Sequence, residues 1–316
     1  MRHALIRRVL SSRSNWVIPA AIVFAVVLWG GNNVGTKFLV ANSAAPWPPI
    51  WTGGTRFLSA GFLLLGLLRW SGWFGEMHPL RSDLRRRLWL RGGLSLAAYI
   101  IAFNWALRFT SASHVALYLG AAPVWALLWE GRPADHRVAM RRYGAALLAL
   151  GGVFTLVWPS LRASSVNLVG ELLGISCSVL WTFYGRQSRG LTQALSGLEV
   201  TAHTMWRAGA WLLPLGIIEV FLRGFHPTPW QFGVQGYCII FGGVIAFGIW
   251  NVALRYWPTS KVYLFNNLIP LSTMTWAHFT LGEVVTPTFW IAMSLIVAGV
   301  VLGQGNWFRQ PALSNR

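Results

Sequence analysis

The segment Asn104 to Val124, NWALRFTSASHVALYLGAAPV, returns 147 residues later as Asn251 to Leu271, NVALRYWPTSKVYLFNNLIPL. Asn104/Asn251, Ala106/Ala253, Leu107/Leu254, Arg108/Arg255, Ser113/Ser260, Val115/Val262, Leu117/Leu264 and Pro123/Pro270 coincide without a gap. Composition alone gives about one or two such matches, and so long a period marks a duplicated half rather than a solenoid.

What the half contains follows from hydropathy. Of the 316 residues 55% are hydrophobic and 11% charged, against roughly 25% charged in a soluble domain. Apolar runs long enough to span a bilayer recur along the whole chain. Ten spans are predicted, at 17–40, 49–69, 88–107, 112–130, 141–158, 168–187, 201–222, 232–255, 260–280 and 286–306. The expected fold class is an all-α membrane protein, with ten transmembrane helices in two five-helix repeats. Residues 17–158 form the first repeat and 168–306 the second, flanked by cytoplasmic tails at 1–16 and 307–316. The N-terminal run lacks a small-residue cleavage site and reads as the first span, not a removed signal peptide.

The net charge of +18 belongs to this topology. With the N-terminus inside, 20 of the 26 Lys and Arg fall on inner segments, among them Arg2, Arg85, Arg137, Arg186, Lys261 and Arg309. Lys37, Arg56, Arg108, Arg162 and Arg223 fall on the outer ends. The positive-inside rule then places both termini in the cytoplasm of a multi-pass protein in the cytoplasmic membrane. Membrane lipids account for the basic segments, so nucleic acid is not an expected partner. An odd number of spans per half forces the two copies to run in opposite directions, the inverted repeat common in secondary transporters. Leu28-Trp29 recurs as Leu180-Trp181, Lys37 aligns with Arg189, and Arg56 aligns loosely with Arg207. Cys177 and Cys238 give no disulfide framework and no metal-ligand spacing; no metal or cofactor is expected.

Several runs carry a resemblance: LWGGNNVGTKF at Leu28–Phe38, RFLSAGFLLL from Arg56, TSASHVALYLGAAPV from Thr110, and GELLGISCSVLWTFYGRQSR from Gly170. PTSKVYLFNNLIPL from Pro258, then LGEVVTP and IVAGVVL, continue it. In order and spacing these resemble the EamA-type transporters of the drug/metabolite transporter superfamily, over about residues 18–305. The resemblance implies a 5+5 inverted-repeat carrier with alternating access and a central cavity, often exporting amino acids or other metabolites. Two features depart from it. The first half has EGRPADHR from Glu130 where the second has Gly282-Glu283. The fourth span reads LYLGAAPV, without the Asn-Tyr-Leu-Trp-Pro pattern of aromatic amino acid exporters.

Ionisable groups narrow the chemistry. None of the eight acidic residues lies at the middle of a predicted span, where proton-coupled pumps place a carboxylate. Glu171 opens the sixth span. It is either a gate partner of Arg56 or Lys37, or an acid favoured by the helix dipole. Trp29, Asn33 and Lys37 share one face of the first helix. The amide of Asn33 either meets substrate or bonds across helices. His203, Trp206 and Arg207 share a face of the seventh span, and the costly cation at Arg207 calls for a partner such as a substrate carboxylate. Asn266 and Asn267 precede Pro270, whose ring frees the carbonyl of Asn266. Irregular helices of this sort surround transporter binding sites. Trp181 and Tyr184, Trp250 and Asn251, and Tyr99 and Asn104 are further candidates to line the cavity. His114 and Tyr118, one turn apart, form a candidate outer gate, and Pro123 and Pro270 are candidate flexing points.

The expected function is a secondary carrier moving a small metabolite, an amino acid or related compound, outward by alternating access. A channel or lipid and drug translocator of the same fold is the alternative. An intramembrane enzyme would need a catalytic constellation; there is no HExxH and both aspartates lie in loops. Gly30, Gly31, Gly35 and Gly299 suit packing within a monomer or between the subunits of a homodimer.

Overall fold

The computed structural model describes residues 14–70, 77–129, 135–163, 167–257 and 262–303. Residues 1–13 and 307–316 of the expected tails, Glu76, Glu130 and Lys261 lie outside these, while residues 14–16 of the expected N-terminal tail begin the first helix. The described residues form ten helical rods. Helix α1 is Ser14–Lys37, extended by a π-helical turn at Phe38–Asn42, and α2 is Pro49–Trp70. Helix α3 is Ser82–Phe109, with a π-helical stretch at Leu88–Gly93. Helix α4 comes in two pieces, Ala112–Gly120 and Ala122–Trp129. Helices α5, α6 and α7 are His136–Ala163, Asn167–Leu191 and Gly197–Arg223. Helix α8 is Pro229–Tyr256, π-helical over Cys238–Ala246. Helix α9 opens as a 3-10 turn, Leu264–Asn267, and continues as Leu268–Leu281; α10 is Pro287–Gly303.

Six of these helices, α1, α2, α3, α6, α7 and α8, are long and apolar enough to cross a membrane, and α10 is a shorter apolar helix. Their outer faces carry large apolar side chains such as Phe221, Leu222 and Phe279, each at least 80% exposed. That surface is tolerable against lipid and costly against water.

Local signals set the helix ends. Ser196 and Glu199 form a reciprocal capping box at the start of α7. Gly224 and Gly282, at φ +76° and +67°, close α7 and α9 in a conformation open to glycine. Other ends are closed from a distance. Glu219 accepts the backbone N–H of Ile50 (2.7 Å) and Trp51 (3.2 Å) at the start of α2. Glu283 accepts those of Ala112 (2.8 Å) and Ser113 (3.2 Å) at the start of α4. Lys37 donates to the carbonyls of Leu107 and Thr110, both at 2.8 Å, at the end of α3. Each charge sits at the helix end whose dipole it complements.

The two halves pack by exchange. Helix α2 packs on its counterpart α7, α5 on α10, and α4 on α9. Contact of α3 with α6 is answered by contact of α8 with α1. On the α2–α7 seam, a Cβ on Gly61 would meet the backbone of Trp206, one on Gly54 Leu212, one on Gly209 Leu58 and one on Gly216 Trp51. The numbers rise in one helix as they fall in the other, so the helices run antiparallel. Small residues at such crossings let backbones approach closely.

This seam also fixes the register of the repeat. Trp51, Gly54, Leu58 and Gly61 correspond to Trp206, Gly209, Leu213 and Gly216. Arg56 therefore corresponds to Trp211 and Arg207 to Thr52, which corrects the loose Arg56/Arg207 alignment. The two arginines are not equivalent.

Candidate functional site

At the middle of the bundle, Trp29, Asn32 and Asn33 of α1 and Arg56 and Phe57 of α2 surround a small cavity with Tyr99 and Phe103 of α3. Leu119, Trp181, Phe247 and Ile269 close it from α4, α6, α8 and α9. Its volume is about 20 Å³, roughly one water-sized sphere. Both halves contribute, and three tryptophans meet here. Trp29 lies 5.6 Å from Trp181 and 5.0 Å from Trp250, ring centre to ring centre. Tyr99 lies 5.0 Å from Trp181. The Trp29 indole donates to the Gly242 carbonyl at 3.0 Å, while the buried Trp181 and Trp250 indoles have no acceptor.

Polar groups lie between these rings. Asn33 donates to Thr273 Oγ1 of α9 at 3.0 Å. Arg56, only 3% exposed, donates from one terminal nitrogen to Asn32 Oδ1 (3.2 Å) and Thr36 Oγ1 (2.6 Å). Its guanidinium lies 4.8 Å from the Phe57 ring centre.

One end of the bundle opens into a polar vestibule of about 530 Å³ whose lining includes Lys37, Thr110, Ser113, His114, Glu171 and Glu283. By the charge pattern this is the predicted outer end. Asn33 at the cavity and Lys37 at the vestibule are four residues apart, about 6 Å of helical rise. Beside the vestibule, buried Glu171 accepts hydrogen bonds from Thr110 Oγ1 (2.7 Å) and the Tyr118 hydroxyl, and His114 Nδ1 lies 2.9 Å away.

The two prolines sit at helix breaks. Ahead of Pro123, α4 is interrupted at Ala121, whose N–H bonds back three residues to Tyr118 O at 3.0 Å. Ahead of Pro270, α9 runs as the 3-10 turn. A ring at i excludes the carbonyl at i−4 from its usual bond, and both helices tighten there. Gly120 faces this break in the partner helix. A Cβ on it would lie 3.2 Å from Pro270 Cγ and 3.8 Å from Asn267 Oδ1. The Asn266 side chain is fully buried, and neither amide atom has a hydrogen-bond partner.

The sequence-derived candidates thus separate. Trp29, Asn33, Tyr99 and Trp181 line the cavity, as does Arg56, expected as an outer gate. Trp250 and Tyr184 stand behind Trp181. The expected pairing of Glu171 with Arg56 or Lys37 is not made; Glu171 sits with His114 and Tyr118 instead. Asn104 and Asn251 are interhelical clamps. The first donates to Pro49 O and the second to Thr201 Oγ1, both at 2.7 Å. Trp206 packs against both α2 and α3 and Arg207 against α3, and neither lines the cavity. The Arg207 guanidinium is 4.2 Å from the Trp206 ring centre and 5.5 Å from that of Trp89. It donates to the His203 carbonyl at 3.0 Å. Asn32, Phe57, Phe103, Leu119, Phe247 and Ile269 were not anticipated. Asn32 adjoins the predicted face of α1; the apolar five carry no sequence mark that separates them from core.

The model of the EamA-like transporter family matches the chain twice, over residues 16–158 and 168–303. The chain belongs to this family. Members similar to it include a probable terminal-alkyne amino-acid exporter of Streptantibioticus cattleyicolor, 24% identical over 89% of this chain and 91% of that one. A probable amino-acid metabolite efflux pump of Salmonella typhimurium is 23% identical over 89% and 92%. An uncharacterized inner membrane transporter of Escherichia coli, YedA, is 24% identical over 89% of each. A solved crystal structure superposes with a TM-score of 0.65 at 18% identity, covering 94% of this chain and all of the other, a likeness of fold. This EamA-family chain is a multi-pass membrane transporter of small molecules, not an enzyme, and works among membrane lipids.

Proposed function

We propose that the protein is a secondary carrier exporting an amino acid or related small metabolite from the cytoplasm by alternating access. The carrying observation is the aromatic and polar cavity built by both halves, one helical turn beneath an open vestibule. Binding near the midplane at a repeat interface is what a rocking mechanism requires. In this reading the halves at 17–158 and 168–306 rock about the α2–α7 seam, with both termini cytoplasmic. The Glu171–His114–Tyr118 cluster closes the outer path, and the breaks before Pro123 and Pro270 flex. Two of the similar family members bear amino-acid exporter or efflux names, which supports the substrate class and the direction.

Counterflow in proteoliposomes tests this. Vesicles loaded with one class of unlabelled amino acid should transiently accumulate trace label above equilibrium. A channel gives equilibration without overshoot, and silence for every amino acid removes the amino-acid assignment.

A further inference from the structure

We infer that the Arg56 guanidinium receives the carboxylate of the transported solute, so that the carrier selects carboxylates with an apolar body over the corresponding amides and amines. This rests on the carrier reading above and deepens it.

Arginine stays charged in proteins, and an uncompensated charge buried at membrane depth is costly. Arg56 has no anion. Its partners are the neutral oxygens of Asn32 and Thr36, both served by one terminal nitrogen, and the Cys238 sulfur on α8. Its buried Nε has no partner. Phe57 and Phe103 offer ring faces at 4.8 and 6.0 Å. The buried or half-buried carboxylates are committed elsewhere. Glu171 is held by Thr110, His114 and Tyr118, and Glu283 by the start of α4. Glu219 holds the start of α2, and Glu199 holds Ser196 and His78. The Arg56 guanidinium makes no ion pair with any described residue.

No described residue supplies the anion, and Arg56 is at the cavity to meet one carried in by the solute. A guanidinium fork matches a carboxylate in two parallel hydrogen bonds. Once the halves move apart and enlarge the cavity from its closed volume of about 20 Å³, Trp29, Trp181, Tyr99 and Phe247 supply apolar walls for the rest of the solute. No acidic side chain lines the cavity, so a solute bearing only an ammonium finds a like charge and no counter-ion. Arg207 does not compete for this role, because it is packed between Trp206 and Trp89.

The test uses one matched set of probes: L-leucine, its carboxamide L-leucinamide, 4-methylpentanoate, which keeps the carboxylate and lacks the amine, and isoamylamine, which lacks the carboxylate. Binding is read by thermal shift of the purified full-length protein, and transport by competition in counterflow. The two carboxylates should bind at least about 30-fold more tightly than the amide or the amine, the lower end of the loss when one partner of a buried charge pair is removed. Arg56→Gln should abolish that ratio rather than merely weaken all four. Equal shifts for leucine and leucinamide on the unmodified protein overturn the inference, as does a ratio that survives in Arg56→Gln. If Arg56→Gln does not fold, the unmodified protein still decides. Carboxylate-selective shifts without any counterflow would overturn the carrier reading and leave the Arg56 site standing.

Discussion

The Asn33 side-chain nitrogen donates to Thr273 Oγ1 across 3.0 Å, joining the first helix of one half to the ninth helix of the other at the rim of the central cavity. Interhelical hydrogen bonds in membrane proteins contribute about 0.6 kcal/mol on average, with a maximum of about 1.7. Asn33→Ala should therefore lower stability by about 1 kcal/mol. Thr273→Ala should cost a similar amount, and the double variant little more than either. Reversible unfolding in mixed micelles reads all three, and strictly additive losses would show that the bond contributes nothing.

The glycines of the α2–α7 seam are under tighter control. A Cβ on Gly61 would lie 2.3 Å from the backbone nitrogen of Trp206, and one on Gly216 2.9 Å from Trp51 Cα. The obstacle at both positions is backbone, which cannot swing aside. Gly61→Ala should cost about 3 kcal/mol or more, at the upper end for overpacking. Gly144→Ala should be neutral to stabilising by up to about 1 kcal/mol, because nothing lies within 4 Å of its Cβ position and alanine is the better helix former. Yield of monodisperse protein and its melting temperature separate the two; a well-folded Gly61→Ala protein would contradict the packing.

Asn266 yields a prediction of opposite sign. A fully buried amide without a hydrogen-bond partner destabilises by roughly 1–3 kcal/mol. Asn266→Leu should raise the melting temperature of the solute-free protein and reduce counterflow. A lower melting temperature would mean that the amide is already satisfied by the protein.

The carboxylate of Glu171 serves three partners, from the link between α3 and α4, the start of α4 and the second half of its first piece. Glu171→Ala would leave Thr110 and Tyr118 without their shared acceptor, at a cost of about 1–3 kcal/mol for each stranded group. His114→Ala combined with Glu171→Ala should be sub-additive by about 0.5–3 kcal/mol, the range for residues in one network. Independent effects in that double-mutant cycle would remove His114 from the cluster.

Much of this was readable from the sequence. Repetition and hydropathy specify the helical architecture, because each span buries or exposes a whole helix and leaves a long signal. Trp29 and Trp181, equivalent in the repeat, do meet at the centre. Other residues misled for definite reasons. Asn104 and Asn251 recur in both halves, yet they recur as clamps: a scaffold contact is duplicated as faithfully as a site. Arg56 reads as an outer-end residue from its position near the start of α2. Its long side chain reaches across to Asn32 and Thr36 on α1, and one-dimensional position does not carry that direction. The register of α2 against α7 was obscured because Arg56 and Arg207 attract alignment, whereas the packing aligns Gly54 with Gly209 and Gly61 with Gly216.

The exchange packing bears on sidedness. If the halves were identical and inverted, the molecule would look the same from either side of the bilayer, and neither direction would be distinguished. The glycine and tryptophan contacts of α2 and α7 come close to that condition, since each has its twin. Any vector this transporter possesses must then be written in positions where the twins differ. Three such pairs described above are Arg56 against Trp211, Thr52 against Arg207, and Gly120 against Asn267, the last of which meet across the α4–α9 break.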